Sequence, residues 1–143
     1  MAIILVVDDE VGIRELLSEI LIDEGYDVRV AENATAARQV RNELRPDLVL
    51  LDVHMPVMDG TETIRAIRAS GQPWANLPVI ALTADAMTGD KERYLGMGMD
   101  GYMSKPIAER DLITEISRVR SLAPEQLAQN RQLKMVDAED LAA

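Results

Sequence analysis

The chain has 143 residues, a length that fits one domain of ordinary size with a real core and a short additional segment. Its 25 acidic residues outnumber its 15 lysines and arginines, and the net charge of -10 argues against direct binding to nucleic acid or to an anionic membrane surface. The chain contains no cysteine, signal peptide or long apolar segment, so we expect a cytoplasmic protein without disulfides or thiolate chemistry.

Short apolar runs alternate with helical patterns along the chain. The runs predict five strands, at residues 3–7, 27–31, 47–51, 78–82 and 101–105. The remaining patterns predict five helices, at residues 11–24, 33–44, 61–69, 88–96 and 109–120. The first helix carries apolar residues at helical spacing, which are Ile13, Leu16, Leu17, Ile20 and Leu21. Strict alternation of strands and helices predicts an α/β fold with a parallel sheet covered by helices on both faces.

The composition changes after residue 122, where the periodic pattern ends and a polar segment begins. We therefore expect one domain over residues 1–122 and a C-terminal tail over residues 123–143. Pro124 and the good helix formers behind it predict one further helix, docked on its own domain or on a second copy of the chain. The alternative is a disordered linker, because disorder concentrates at chain termini.

Polar side chains follow four of the predicted strands. Asp8 and Asp9 follow the first, Asp52 the third, Thr83 the fourth, and Lys105 the fifth. Ligands of open α/β sheets bind at the carboxyl ends of the strands, so these side chains are expected to converge. The alternative is a purely structural role, in which the acid pair Asp8 and Asp9 caps the helix that follows. Crowded carboxylates repel one another, however, and hard oxygen ligands with room for water suit Mg²⁺.

A carboxylate beside such a metal can attack phosphorus and form an aspartyl phosphate. The charge that develops on the transferred group would be stabilised by the metal, an ammonium and a hydroxyl. This chemistry assigns Asp52 as the nucleophile, with Lys105 and Thr83 as the stabilising groups.

Four motifs carry a resemblance to a known family. They are VVDDE (6–10), LLDVHMPVMDG (50–60), ALTAD (81–85) and GYMSKPI (101–107). In this order and spacing they resemble the receiver domain of two-component response regulators, over roughly residues 3–121. The resemblance implies a doubly wound, flavodoxin-like fold whose five parallel strands have the order 2-1-3-4-5.

The resemblance also implies a metal site and a phosphoacceptor. Asp52 would accept the phosphoryl group, and Mg²⁺ would be bound by Asp9, Asp52 and the backbone carbonyl of His54. Asp8 would act on the metal largely through water. The His54 side chain is expected to be a partly exposed loop residue and not a ligand.

The remaining roles that the resemblance implies concern the response to phosphorylation. Lys105 would bind a phosphoryl oxygen, and Thr83 and Tyr102 would form a switch pair. Phosphorylation would shift the face made by the fourth helix, fifth strand and fifth helix, and that face would control a downstream protein. This face and the tail are the two surfaces on which we expect a homodimer, if one forms.

The expected partner is a histidine kinase or a histidine phosphotransfer protein that presents phosphohistidine. The domain would catalyse its own phosphorylation and slow dephosphorylation, which differs from turnover of a small-molecule substrate. No direct nucleic-acid or membrane partner is expected.

Two other functions are weighed against this one. A Mg²⁺-dependent phosphohydrolase with an aspartyl nucleophile would carry a DxD pair on its first strand and a cap domain, whereas this chain has DDE and no long insertion. A degenerate receiver used only for binding would have lost the acid pair, Asp52 or Lys105, and all are present. The first half resembles receivers of transcriptional regulators and the second half receivers of hybrid histidine kinases, which fits a natural intermediate or a chimera.

Overall fold

The computed structural model describes residues 2–52, 77–83, 98–123 and 125–131. Within these residues the chain forms five strands, which are β1 (Ile3–Val7), β2 (Asp27–Ala31), β3 (Leu48–Asp52), β4 (Val79–Thr83) and β5 (Gly101–Ser104). Each strand pairs with its neighbours in parallel, in the order β2-β1-β3-β4-β5. The predicted fold class and strand order are therefore confirmed.

The described helices are α1 (Val11–Asp23), α2 (Ala34–Glu43), α3 (Glu109–Arg120) and a short helix over residues 125–131. Gly25 follows α1 with a φ of 93°, a left-handed conformation that glycine adopts without a Cβ penalty. Asn33 caps α2, and its side-chain oxygen accepts a hydrogen bond of 2.8 Å from the backbone N–H of Ala36. The helices predicted at residues 61–69 and 88–96 lie outside the described residues.

Side chains of the strands alternate between two apolar clusters on opposite faces of the sheet. The cluster toward α1 and α3 takes the strand residues Ile4, Val6, Leu48, Leu50, Ile80, Leu82 and Met103. The cluster on the opposite face takes Leu5, Val7, Ala31, Val49, Leu51, Val79 and Ala81, with residues of α2 packed against it. Alternate residues of a strand point to opposite faces, so burial of both sets places apolar layers above and below the sheet.

Two strands end one residue later than the sequence predicts. β3 includes Asp52, which pairs with Leu82, and β4 includes Thr83, which pairs with Ser104. A polar side chain marks the end of the apolar pattern, but the backbone ladder continues through it. Asp52 and Thr83 are thus held by the sheet itself and are positioned more rigidly than loop residues would be.

The short helix over residues 125–131, which we call the tail helix, packs on the domain that precedes it. Its first turn is closed by the N–H of Leu127, which donates to the carbonyl of Ala123 at 3.0 Å. Leu127 is buried in the same apolar cluster as α1 and α3. The domain boundary between residues 122 and 123 remains a prediction. None of the described helices has the length and apolar character needed to cross a membrane.

The predicted apolar face of α1 contains one error. Leu17 and Leu21 are fully buried, whereas Leu16 is 41% exposed. Helical spacing allows an apolar stripe wide enough to include Leu16, but the sheet contacts only the narrower part of it.

The adjacent leucines provide a matched pair of substitutions. Leu17→Ala should lower the free energy of unfolding by about 2–5 kcal/mol, because it removes buried methyl groups and leaves a cavity. Leu16→Ala, the same chemical change beside it, should cost no more than about 1 kcal/mol. Urea unfolding of the three proteins measures both values, and equal losses would show that the burial of α1 is wrongly described.

Candidate functional site

The carboxyl ends of four strands bring polar side chains to one edge of the sheet. Asp8 follows β1, Asp52 ends β3, Thr83 ends β4, and Lys105 follows β5. Asp8 and Thr83 are fully buried, and Asp52 is only 3% exposed. Burial of charged groups is costly unless they are paired, so the arrangement needs a compensating charge.

The Lys105 ammonium supplies positive charge to this edge. Its Nζ lies 2.9 Å from Asp8 Oδ2, 3.7 Å from Asp52 Oδ2 and 3.5 Å from Glu10 Oε1. The Lys105 side chain is itself only 10% exposed. One ammonium therefore joins carboxylates that are 44 positions apart in the chain (8 to 52). The Lys105–Pro106 peptide bond is cis.

The environment raises the pKa of Lys105. Burial alone would lower this pKa, but the close contact of the ammonium with the Asp8 carboxylate and the charges of Asp52, Asp8 and Glu10 together outweigh that effect. Since the pKa is raised in the folded chain, the stabilisation is complete below the ordinary pKa of lysine and is lost only as pH rises through the raised value. Lys105 is consequently a cation at neutral pH.

Asp8 is fixed by its neighbours on three sides. Its N–H donates to the carbonyl of Ala31 at 3.1 Å, and its Oδ1 accepts from the N–H of Glu10 at 2.9 Å. Arg14 on α1 donates through Nη1 to the Asp8 carbonyl at 2.7 Å. The second carboxylate oxygen, Oδ2, is buried without a hydrogen bond and has the Lys105 ammonium as its ionic partner. This oxygen retains capacity to bind a cation or a water molecule.

The acid run at the start of α1 forms a cluster that could hold a metal. Ligand atoms of Asp8, Asp9 and Glu10 lie within 4.8 Å of one another, and the last two residues are exposed. Oxygen ligands with one side open to water suit Mg²⁺, which usually retains several waters. The buried Oδ2 of Asp8, which accepts no hydrogen bond, could receive a water molecule held by such an ion. Asp52 lies outside this tight group and is connected to it through Lys105.

The structure adds two residues that the sequence reasoning did not assign to the site. Glu10 contacts Lys105, and Arg14 holds the backbone of Asp8. Glu10 could have been found from its place in the VVDDE run. Arg14 carried no comparable signal, because an arginine in the first turns of a helix usually faces solvent.

The predicted switch residues lie on one face of the sheet. Tyr102 pairs with Ala81, two residues before Thr83, and packs against the cluster that contains Ala81. Since residues two apart in a strand share a face, Thr83 lies on the face that carries Tyr102. The predicted contribution of His54 falls outside the described residues.

Comparison with known proteins points to one family. The response regulator receiver domain family matches residues 4–117. The chain is 40% identical over 131 residues to sensor protein GacS of Pseudomonas syringae pv. syringae, covering 90% of this chain and 14% of that protein. It is 39% identical over 113 residues to the DNA-binding response regulator MtrA of Mycobacterium tuberculosis, covering 79% of this chain and 48% of that protein. The chain thus spans less than half the length of either relative.

Solved structures agree with the family match. The chemotaxis response regulator CheY4 of Vibrio cholerae superposes with a TM-score of 0.75 at 33% identity, covering 83% of this chain and 98% of that chain. NtrX of Brucella abortus gives a TM-score of 0.75 at 30% identity over 96% of this chain and 30% of that chain.

The matched region contains the whole described sheet apart from the first residue of β1. It also contains the acidic cluster, and receiver domains generally bind Mg²⁺. The relatives include both a sensor protein and DNA-binding response regulators. This chain belongs to the response regulator receiver domain family and is a receiver domain of two-component signalling.

Proposed function

We propose that Asp52 of this receiver domain accepts a phosphoryl group from phosphohistidine on a partner histidine kinase or histidine phosphotransfer protein. The observation that carries this proposal is the Lys105 ammonium in contact with both Asp8 and Asp52 at the carboxyl edge of the sheet. A binding-only domain would have no need to hold this costly set of buried charges together. We further propose that the domain acts in the cytoplasm, as the sequence predicts.

The proposed reaction is an in-line transfer. A carboxylate oxygen of Asp52 attacks phosphorus, the bond from phosphorus to the donor imidazole nitrogen breaks, and its electron pair returns to that nitrogen. Lys105, 3.7 Å from Asp52 Oδ2, is close enough to pair with an oxygen of the arriving group. Thr83 ends the adjacent strand, and its hydroxyl would donate to a second phosphoryl oxygen.

The proposed metal site uses the carboxylates of Asp9 and Asp52, with Asp8 acting through water. A bound Mg²⁺ would neutralise charge on the phosphoryl oxygens and orient them for attack. The exposure of Asp9 supports a site that keeps waters, because this carboxylate lies at the solvent side of the cluster. The carbonyl of His54 remains the expected additional ligand.

The proposed output surface lies beside β5. Thr83 and Tyr102 share a sheet face, which supports a switch in which one responds to the other. A groove of about 330 Å³ is bordered by β5, the loop after it and α3, and is lined by Tyr102, Met103, Ser104, Pro106, Ala108, Asp111, Thr114 and Glu115. Its carboxylates favour a downstream protein, or a second copy of the chain, that offers basic groups.

Phosphorylation by a small donor tests the assignment of Asp52. Incubation with acetyl phosphate and Mg²⁺ should add the mass of one phosphoryl group, and removal of Mg²⁺ with a chelator should prevent the addition. Asp52→Asn should abolish labelling, because it removes the nucleophile. Asp23→Asn, at the exposed end of α1, is the matched control and should label like the parent.

Intact-protein mass spectrometry gives the result for all three proteins. Undiminished labelling of Asp52→Asn, or a phosphate located on another residue, would contradict the assignment. An unlabelled parent that folds and binds Mg²⁺ would favour the binding-only alternative.

The acid pair and Lys105 should affect different steps. Asp9→Ala should weaken Mg²⁺ binding by at least the roughly 10–100-fold that loss of an outer-shell partner costs. Lys105→Ala should bind Mg²⁺ to a similar extent as the parent and lose phosphoryl transfer, since the ammonium acts on the phosphoryl oxygens. Calorimetric Mg²⁺ titration with parallel labelling separates the two effects, and equal weakening of Mg²⁺ binding by both variants would refute this division.

A further inference from the structure

The tail helix is held to the sheet by a buried ion pair. Arg131 donates through Nε to Asp100 Oδ1 at 2.6 Å and through Nη2 to Asp100 Oδ2 at 3.0 Å. The side chains are 6% and 1% exposed. Two parallel hydrogen bonds between a guanidinium and a carboxylate give geometric specificity as well as attraction.

Asp100 also connects the tail helix to three other elements. Its N–H donates to the carbonyl of Val79 at 2.8 Å, and its Oδ2 accepts from the N–H of Val79 at 2.9 Å, which ties it to the start of β4. Arg118 of α3 donates to the Asp100 carbonyl at 2.8 Å. Asp100 directly precedes β5, so a single residue joins the starts of two strands, the end of α3 and the tail helix.

The tail helix has only two buried side chains among its described residues, Leu127 and Arg131. They are four positions apart and therefore share one face of the helix. Leu127 enters the apolar cluster of α1 and α3, and Arg131 reaches Asp100. Helices in proteins gain most of their stability from tertiary packing, and these contacts supply it for the described turns of the tail helix.

We propose that the Arg131–Asp100 ion pair fixes the tail helix on the folded domain, so that this helix, which we call the strap, sets the direction of the chain that follows it. Without Arg131, the Asp100 carboxylate would keep the hydrogen bond from the Val79 N–H but would lose both hydrogen bonds from the buried guanidinium. The strap is therefore expected to contribute to the stability of the whole domain.

The position of the strap has a functional consequence. Val79 begins β4 and Thr83 ends it, so Asp100 and the strap lie at the end of the sheet opposite to Asp52 and Lys105. The described part of the strap therefore lies away from the carboxyl edge that a phosphodonor would approach. Any segment that follows residue 131 would then start from a defined position relative to the receiver. This inference does not depend on the proposed phosphoryl chemistry.

Melting temperatures of charge variants test whether the Arg131–Asp100 ion pair holds the strap on the domain. Arg131→Met should lower Tm by roughly 5–15 °C, because it removes one partner of a buried pair. The double variant Asp100→Asn/Arg131→Met should melt above Arg131→Met, since it no longer buries a carboxylate that has lost its guanidinium partner. Arg131→Lys, which keeps the charge without the planar fork, should be intermediate, and the exposed Arg110→Met should match the parent.

A distance measurement between α2 and the strap tests whether the strap has a fixed position on the domain. The chain has no cysteine, so Gln39→Cys on α2 and Ala128→Cys on the exposed side of the strap would carry the only two spin labels. Double electron–electron resonance should give a narrow distance distribution in the parent and a broad one with Arg131→Met added. Arg110→Met in the same background should leave it narrow.

Each readout has a result that would overturn the proposal. A Tm for Arg131→Met equal to that of Arg110→Met would show that the ion pair does not hold the strap in place. A broad distribution in the parent would show that the strap does not fix the exit. Phosphorylation with acetyl phosphate should be similar in the parent and in Arg131→Met, so failure of the strap and failure of the phosphoacceptor assignment give different patterns.

Discussion

The buried contact of the Lys105 ammonium with Asp8 and Asp52 is the interaction on which the proposed chemistry depends. Parallel strands bring their carboxyl ends to one edge, and the chain places acidic groups at two of those ends. Mutual repulsion would destabilise such an edge unless a cation were present. Lys105 follows β5, which is separated from β3 by β4, and its ammonium supplies that charge. The proposed site for phosphoryl transfer is therefore also a site of electrostatic repulsion between carboxylates, which is balanced by the residue to which we assign a part in the reaction.

The amino and carboxyl ends of the sheet satisfy buried charge in opposite ways. At the amino end, both oxygens of Asp100 accept hydrogen bonds from Arg131, and Oδ2 also accepts one from the Val79 N–H. At the carboxyl end, Asp8 Oδ2 has no hydrogen bond and depends on the Lys105 ammonium. The satisfied pair suits a permanent structural contact. The incompletely satisfied one suits a site that must exchange partners when a metal or a phosphoryl group arrives.

Sequence reasoning succeeded where a local pattern carries the information. Apolar runs predicted the strands, strict alternation with helices predicted the parallel sheet, and the family resemblance carried by the four motifs implied the strand order. It placed Asp52 and Thr83 just after their strands, because a polar side chain ends the apolar pattern although the backbone ladder does not end there. The exposure of Leu16 was missed for a related reason, since periodicity defines a stripe but not how much of it the sheet covers.

Contacts between distant residues left no such pattern. Asp100 and Arg131 are 31 positions apart, and neither reads as buried in the sequence. A solvated loop acid and a solvated helix arginine are the ordinary expectations for these residue types. The contact of Glu10 with Lys105 spans 95 positions and is equally hidden. These contacts result from the packing of helices and strands against one another, so they are seen only in the folded structure.

Crystals soaked with Mn²⁺, a Mg²⁺ substitute located by its anomalous scattering, would test most directly whether the acidic edge is a phosphoryl-transfer site. We expect one strong peak in direct contact with carboxylate oxygens of Asp9 and Asp52, at roughly 2.0–2.2 Å given the usual Mg²⁺–oxygen distance of about 2.1 Å. Lys105 should remain beside the ion and outside its coordination shell. A peak bound to Glu10 and remote from Asp52, or no peak at saturating Mn²⁺, would contradict the account.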